Sequence, residues 1–174
     1  MSGDDTIARP ANPPLRFLRA VRLDASDTQI YDHVAEPGEW AVPGSFVLWD
    51  LEPTRAEGGA REAFRHGFVG AESFGSTTLV ITAEIEPEEL AQVTGNITAH
   101  LMSRYGAPNE DAAREVAEQE VRFTQELAEH PAGTLIAVER EEGPDGIEER
   151  FKTVMVPDGS DHGKVKLWEL VDED

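Results

Sequence analysis

The chain has 174 residues, a mass of 19.1 kDa, a formal net charge of −20 and no cysteine. This length suits a single domain, and the lack of cysteine excludes disulfides, thiolate catalysis and cysteine-ligated metal centres within the chain. Acidic residues outnumber basic ones 35 to 15, whereas binding to nucleic acid or to anionic lipid requires clustered lysine and arginine. We therefore expect neither a nucleic-acid partner nor a membrane surface.

The two ends of the sequence differ from its middle. Residues 1–14 contain three prolines and small polar residues, which predict a disordered tail and do not resemble a signal peptide. No apolar run reaches the roughly 18 residues that a transmembrane helix needs. The sequence thus predicts a cytoplasmic protein with one domain over residues 15–171 and a short acidic end at 172–174.

In chain order, the first third of the sequence predicts strands and turns. Alternating apolar residues over 15–23 predict a half-buried strand, and residues 26–33 a second, shorter one. Pro37-Gly38 and Pro43-Gly44 favour turns, because proline presets φ and glycine tolerates positive φ. An apolar run at 46–49 then predicts another strand.

The middle of the sequence predicts a short helix, two strands and two long helices. The short helix is expected at 60–66, and strands follow at 68–74 and 77–85. Apolar residues at helical spacing predict a helix over 87–105 and a second one from about 109 to 130. Because a short turn joins these two helices, we expect them to be antiparallel neighbours.

The last third predicts a β-hairpin. Residues 134–140 and 147–156 flank Gly143-Pro144-Asp145-Gly146, a strong turn signal between two alternating segments. A final strand is expected around Leu170. The order of strands, helix pair and strands predicts an α+β domain, with a largely antiparallel sheet and the central helix pair packed on one face.

Arg61 and Arg65 are spaced to share one face of the short predicted helix, and His66 follows them. Two guanidinium groups on one face suit a carboxylate, a phosphate or an acidic side chain of a partner. The alternative is pairing with local acids such as Glu57 and Glu62, which contributes little to stability. Arg61, Arg65 and His66 are therefore the candidate anion- or partner-binding residues.

The stretch 109–150 carries the opposite charge, with thirteen acidic side chains against four arginines. Such a stretch is typical of a solvated face, and alternatively of a docking face for a basic partner. Trp40 and Trp49 are candidate aromatic anchors, because large aromatic side chains at loop edges often contact partners or ligands. Packing of these rings on the core is the alternative.

His100 lies on the first long helix, and Glu120 falls near the apolar stripe of the second. An antiparallel helix pair allows a buried contact between them, although a lone Glu at such a place often keeps its head in water. No two histidines share the spacing of metal ligands on a helix, and the nearest match to a nucleophile elbow, around Ser73, is followed by strand-forming residues. We accordingly predict no catalytic residue, no metal and no cofactor.

Several short segments combine arginines, aromatic residues and turn formers. They are 16–24 (RFLRAVRLD), 26–28 (SDT), 35–42 (AEPGEWAV), 46–50 (FVLWD), 63–68 (AFRHGF), 72–75 (ESFG), 105–108 (YGAP) and 118–123 (EQEVRF). Over about residues 15–156 the chain resembles domain-of-unknown-function family 6505, which is largely alphaproteobacterial. Its genes lie near those for molybdenum-dependent oxidoreductases and lipoate/biotin ligase-like proteins, so the resemblance implies a place in a redox-enzyme pathway. The family has no assigned catalytic residues, so it implies none here.

Two functions from different classes follow. The first is a non-catalytic accessory or assembly protein that binds a protein partner in a redox-enzyme, molybdoenzyme-type pathway. The alternative is a small-molecule-binding protein or enzyme with a pocket between sheet and helices that uses Arg65, His66 or Glu120. A homo-oligomer, in which the partner is a second copy of the chain, is a third reading.

Overall fold

The structure, a computed structural model, describes residues 14–22, 26–46 and 58–154, together with the backbone of 170–171. Predictions that concern residues 1–13, Trp49 and the last strand before residue 170 lie outside the described residues. So does most of the strand expected at 46–49.

The described part of the chain forms four helices and eight strands. The helices are α1 (Ser26–Ile30), α2 (Gly58–His66), α3 (Pro87–Arg104) and α4 (Glu110–Leu127). The strands are β1 (Arg16–Val21), β2 (Trp40–Val42), β3 (Phe68–Gly70), β4 (Ser76–Thr77), β5 (Leu79–Glu84), β6 (Leu135–Gly143), β7 (Gly146–Val154) and β8 (Leu170–Val171).

All eight strands belong to one sheet, in the order β4-β3-β2-β1-β5-β6-β7-β8. Every neighbouring pair of these strands is antiparallel. Strand β1 lies in the middle of the sheet and pairs with β5 along its whole length, from Arg16↔Glu84 to Val21↔Leu79. The predicted α+β class with an antiparallel sheet is therefore confirmed.

The sheet is strongly curled. Phe68 on β3 and Phe151 on β7 have ring centroids 6.1 Å apart, although five strand-to-strand steps separate their strands in the sheet. At about 4.8 Å per step, a flat sheet would hold these strands roughly 24 Å apart. Phe123 of α4 lies 5.8 Å from the same Phe151 ring, so α4 packs where the two ends of the sheet approach each other.

The core contains two apolar clusters, one on each side of β1. Phe17 belongs to the cluster that α3 and α4 cover, which includes Ile97 and Ala117. Leu18 belongs to the cluster around Val80, which the last turn of α4 completes. Because consecutive strand residues point to opposite faces, β1 is buried on both sides and forms the centre of the domain.

The antiparallel helix pair and the hairpin agree with the sequence predictions. Helix α4 begins at Asn109, whose side-chain oxygen accepts the Ala112 N–H at 2.8 Å, as expected for an N-cap residue. Strands β6 and β7 pair from Leu135↔Val154 to Gly143↔Gly146. Two residues connect them, and this short connection fixes the register of the hairpin.

The strand expected at 26–33 is wrong, because Ser26–Ile30 form α1. The Tyr31 N–H closes a helical turn on the Asp27 carbonyl at 3.0 Å. The Asp27 carboxylate then accepts the Thr78 hydroxyl at 2.9 Å. The conformation of this segment thus involves a long-range hydrogen bond of an acidic side chain. The alternation of apolar residues in the sequence contains no information about such a bond.

Two other local predictions are corrected. The loop edge expected at Trp40 is strand β2, since Trp40 pairs with Arg19 of β1. The strand expected at 68–74 ends at Gly70, after which the chain turns back to Gly75 and β4. The carboxylate that holds this turn comes from Glu39, which is remote in sequence.

Candidate functional site

Arg61 and Arg65 both lie exposed on α2, one helical turn apart, as predicted. The opposite side of the helix is anchored by Phe64, which is 5 % exposed. Within residues 14–22, 26–46 and 58–154, no carboxylate forms an ion pair with either guanidinium group. This pair, called the arginine face below, offers two charged donors to a group outside the described residues.

A buried arginine holds α2 in place. Arg140 on β6 is 1 % exposed, and its Nη1 donates to the carbonyls of Phe64 at 2.9 Å and Gly67 at 3.0 Å. Its Nη2 donates to the Pro43 carbonyl at 2.8 Å, and its Nε pairs with Glu149 at 2.7 Å. Arg140 thus ties the last turn of α2 and the end of β2 to β6, across the curl of the sheet.

His66 packs at the same place but points away from the arginine face. Its ring is half-buried, and Nδ1 lies 3.3 Å from the Val138 carbonyl. The structure therefore separates the predicted trio into two exposed cations and one histidine engaged with β6. Val138 belongs to the core, so His66 serves as a contact between α2 and the sheet.

His100 and Glu120 have different partners in the structure. Glu120 is 7 % exposed and accepts the Gly44 N–H at 2.7 Å. Burial raises its pKa above the ordinary value, against the opposing hydrogen bonds from the Gly44 and Ser45 backbones. His100 instead lies beside Phe46, with ring centroids 6.2 Å apart. Glu120 thus contacts Gly44 and His100 contacts Phe46, at the two ends of the segment 44–46.

A buried carboxylate builds the turn between β3 and β4. Glu39 is 7 % exposed, and its Oε1 accepts the backbone N–H groups of Glu72 and Ser73, each at 2.9 Å. Its Oε2 accepts the Ser73 hydroxyl at 2.6 Å. Gly70 lies so close that any Cβ there would collide with the Glu39 carboxyl group. Ser73 is therefore part of the hydrogen-bonding that holds this turn.

The same turn holds Phe74 in an uncommon backbone conformation. Phe74 has φ of +59°, the left-handed region that strongly favours glycine. Its ring stacks on His100 of α3, with centroids 3.7 Å apart and planes inclined by 4°. Burial, followed by the charge of Arg104, lowers the pKa of His100, which favours a neutral imidazole in this stack. Strained residues of this kind cluster at binding sites.

A surface groove runs between α3 and this turn. Its smaller section has a volume of about 120 Å³ and is lined by Trp40, Glu89 and Val93, among others. Its larger section, about 410 Å³, continues past Phe74 and His100. Glu72, Gln92 and Asn96 line both sections, so the two form one feature. We call it the α3 groove.

Trp40, the first of the two predicted anchors, lies in the α3 groove and also packs on the core. Its ring contacts Phe17 edge-on at 6.1 Å, and the guanidinium carbon of Arg19 lies 4.2 Å from the ring centroid. The ring is half-buried. The packing alternative thus describes part of the Trp40 ring, its role as an anchor stays a prediction, and Trp49 lies outside the described residues.

A third cavity, of about 680 Å³, lies at the other end of α3. It is bounded by the beginning of β1, the beginning of α3 and the end of α4. Arg16 borders it and donates to the His130 carbonyl at 3.1 Å. Arg65, His66 and Glu120 line none of the three cavities described here.

Sequence reasoning missed Glu39, Arg140 and the conformation of Phe74. Glu39 follows a turn signal, Pro37-Gly38, and stands beside an apolar strand, which is a weak sign of a buried carboxylate. Arg140 shares the alternation of Ile136 and Val138 on β6, so a charged residue at a core position was visible in the pattern. Nothing local in the sequence predicts a left-handed phenylalanine.

The described residues form neither a metal-binding cluster nor a membrane-spanning helix. No group of three or more His, Asp or Glu side chains among them is arranged to hold a metal ion. Among the described helices, none combines the length and apolar character needed to cross a bilayer.

Comparison with known proteins finds one family model, described as a family of unknown function (DUF6505), which matches residues 15–166. No curated protein and no solved structure matches the chain.

Proposed function

The chain belongs to DUF6505, a family of unknown function, and we propose from its own geometry that it is a non-catalytic protein that binds a protein partner through the arginine face of α2. The observation that carries the proposal is the exposed pair Arg61 and Arg65, without a carboxylate partner among the described residues, in a chain of net charge −20. Acids are abundant in this chain, yet none of those described neutralises the pair.

The helix that carries the arginine face is fixed to the rest of the domain. Arg140 binds carbonyls at the end of α2, and Phe64 is buried under it. A fixed helix holds the backbone of Arg61 and Arg65 in one orientation, so binding loses less backbone entropy than it would on a mobile segment. Guanidinium forks bind carboxylates in bidentate fashion, so the partner surface is expected to be acidic.

The proposal places the protein in the bacterial cytoplasm, as an accessory or assembly partner in a redox-enzyme pathway of the molybdoenzyme type. This placement rests on the sequence expectations and the family resemblance. The alternative function, a small-molecule site that uses Arg65, His66 or Glu120, would need these groups to converge on one cavity.

The experiment is quantitative affinity capture from the native host, with the wild type and two charge-reversal variants. Arg61→Glu with Arg65→Glu removes the arginine face, and Arg114→Glu with Arg122→Glu makes the same charge change on exposed positions of α4. We expect a stoichiometric protein partner that dissociates at high salt and is lost with the first variant but kept with the second.

Circular dichroism shows whether both variants keep the fold. If capture is unchanged when Arg61 and Arg65 are reversed, or falls equally in the α4 control, the arginine face is not the docking surface. If no protein co-purifies and native mass spectrometry finds a retained small molecule, the binding function belongs to the alternative class.

A further inference from the structure

We propose that the α3 groove is a second recognition site, independent of the arginine face, which binds a short peptide segment of a partner through a lysine or arginine side chain. The proposal stands on four features of the groove: a section sized for one side chain, acidic lining at that section, amide groups at its mouth, and a strained aromatic stack that forms the adjoining shelf.

The smaller section of the groove has the volume of a side-chain pocket. Sites that enclose whole small molecules measure about 300–1,000 Å³ and bury most of the ligand, whereas this section measures about 120 Å³. It opens into the larger section, which at about 410 Å³ falls within that range but is largely open to solvent and so does not enclose a ligand. One anchored side chain on an open shelf is the arrangement of a peptide site rather than of an enclosed ligand cavity.

The chemistry of the smaller section selects a basic side chain. Glu72 and Glu89 line it beside the ring of Trp40, and no lysine or arginine is among its lining residues. The Glu72 side chain is exposed and forms no ion pair with any described residue. One face of the Trp40 ring holds the Arg19 guanidinium, so the attraction for a further cation comes from the two carboxylates.

An arginine lies at each end of the α3 groove. Arg19 lies on Trp40 at the acidic end, and Arg104 lies near His100 at the other end. Only the smaller section is lined by Glu89 as well as Glu72, so its two carboxylates outweigh the single positive charge of Arg19 and the cationic side chain belongs there. The whole chain, at −20, adds long-range attraction for a basic segment.

The mouth of the pocket carries groups that suit a peptide backbone. Gln92 and Asn96 line both sections. The Asn96 amide nitrogen donates to the Ala71 carbonyl at 3.0 Å, which holds its side chain in place at the junction. Side-chain amides both donate and accept hydrogen bonds, as a backbone amide requires. From Glu89 to Ser103 the groove follows α3 for about 21 Å, the length of roughly six extended residues.

Phe74 and His100 form the shelf beyond the pocket. Their stack exists because Phe74 adopts φ of +59°, where glycine would be free of strain. The Glu39 carboxylate holds the turn that imposes this conformation through three donors. A strained aromatic residue kept at the surface by a buried carboxylate gives the neighbouring peptide residue a rigid face to contact.

The test uses the full chain, labelled with ¹⁵N, and four blocked hexapeptides Gly-Ala-X-Ala-Ala-Gly in which X is Lys, Arg, Gln or Glu. Titrations run at 0.15 M salt, where nonspecific surface attraction is screened beyond about 8 Å. We expect the Lys or Arg peptide to give saturable shifts of backbone amides at 71–74 and 89–96. The Gln and Glu peptides should give none that saturate.

Variants decide whether the shifts belong to the groove. Glu72→Gln should weaken binding at least fivefold, while Glu118→Gln, the same change at an exposed position on α4, should alter it less than twofold. Arg61→Glu with Arg65→Glu should leave it unchanged, which keeps this test separate from that of the arginine face. Equal effects of the two Gln variants, shifts spread along α4, or no saturation would overturn the proposal. Butylamine that binds as tightly as the peptides would overturn the peptide assignment.

Discussion

Arg140→Met is expected to destabilise the domain far more than any exposed arginine substitution. Methionine fills a similar volume but cannot donate hydrogen bonds. The change leaves the buried carbonyls of Pro43, Phe64 and Gly67 without their guanidinium donors, and Glu149, whose side chain is 22 % exposed, without its ion pair. Unsatisfied buried acceptors cost about 1–3 kcal/mol each, so three of them at the lower part of this range cost about 3–5 kcal/mol, and the partly exposed Glu149 carboxylate adds little. We expect a loss of about 3–5 kcal/mol.

Arg150→Met is the matched control, because Arg150 lies on the same hairpin. Its side chain is 53 % exposed, and it pairs with Glu139 at 3.0 Å. Exposed pairs contribute at most about 1 kcal/mol. With a urea m-value of about 2 kcal/mol/M, Arg140→Met should lower the unfolding midpoint by roughly 2 M and Arg150→Met by less than about 0.5 M. Similar midpoints for the two variants would refute the view that Arg140 ties α2 and β2 to β6.

Two further predictions concern Phe74 and Glu120. Phe74→Gly should be more stable than Phe74→Ala by about 1 kcal/mol, because both lose the stack on His100 but only glycine is unstrained at φ of +59°; an alanine variant as stable as the glycine variant in urea unfolding would contradict this. Burial raises the pKa of Glu120, so folding favours the protonated carboxyl group. The stabilisation from this group is therefore greatest below the unfolded pKa of about 4.5. It is lost as pH rises through the folded pKa. Glu120→Gln lacks this titration, so the stability of the wild type relative to the variant should fall as pH rises above about 4.5; a difference that does not fall would contradict a raised pKa.

Regular elements with a strong local signal could be predicted from the sequence. Helices α3 and α4 have apolar residues at helical spacing and a recognisable beginning at Pro87 and Asn109. The hairpin has alternating segments around a turn with a glycine on each side. In each case the deciding interactions lie within a few residues along the chain, so a local pattern contains them.

The segments that were predicted wrongly depend on distant partners. The Asp27 carboxylate meets Thr78, 51 residues away, and turns the expected strand into α1. Glu39 meets Ser73 across 34 residues and ends β3 early. A single acidic residue near a turn is common in any soluble chain, so the local sequence gives at most a weak sign that these two are buried.

The candidate sites also differ in whether local patterns or distant contacts form them. Exposure and spacing of Arg61 and Arg65 follow from helical geometry, and the structure places them as expected. The α3 groove does not follow from spacing, because its walls come from β2, the 71–74 turn and α3. Only the curl and register of the sheet bring Trp40 beside Glu72, and a pattern of apolar residues does not specify that distance.

The buried polar residues explain why both candidate surfaces are rigid. The last turn of α2 buries Phe64 and the 71–74 turn buries Ala71, and each segment is also held by a buried polar residue. Arg140 binds the first and Glu39 the second, each through at least three hydrogen bonds with defined directions. Such bonds fix orientation more narrowly than apolar contacts do, because a donor must lie within about 30° of its acceptor line. Each buried residue therefore acts on binding by fixing the orientation of a surface segment. Substitution of Arg140 should weaken partner capture by Arg61 and Arg65, although Arg140 itself does not contact the partner. Substitution of Glu39 should weaken peptide binding in the α3 groove while sparing capture at the arginine face.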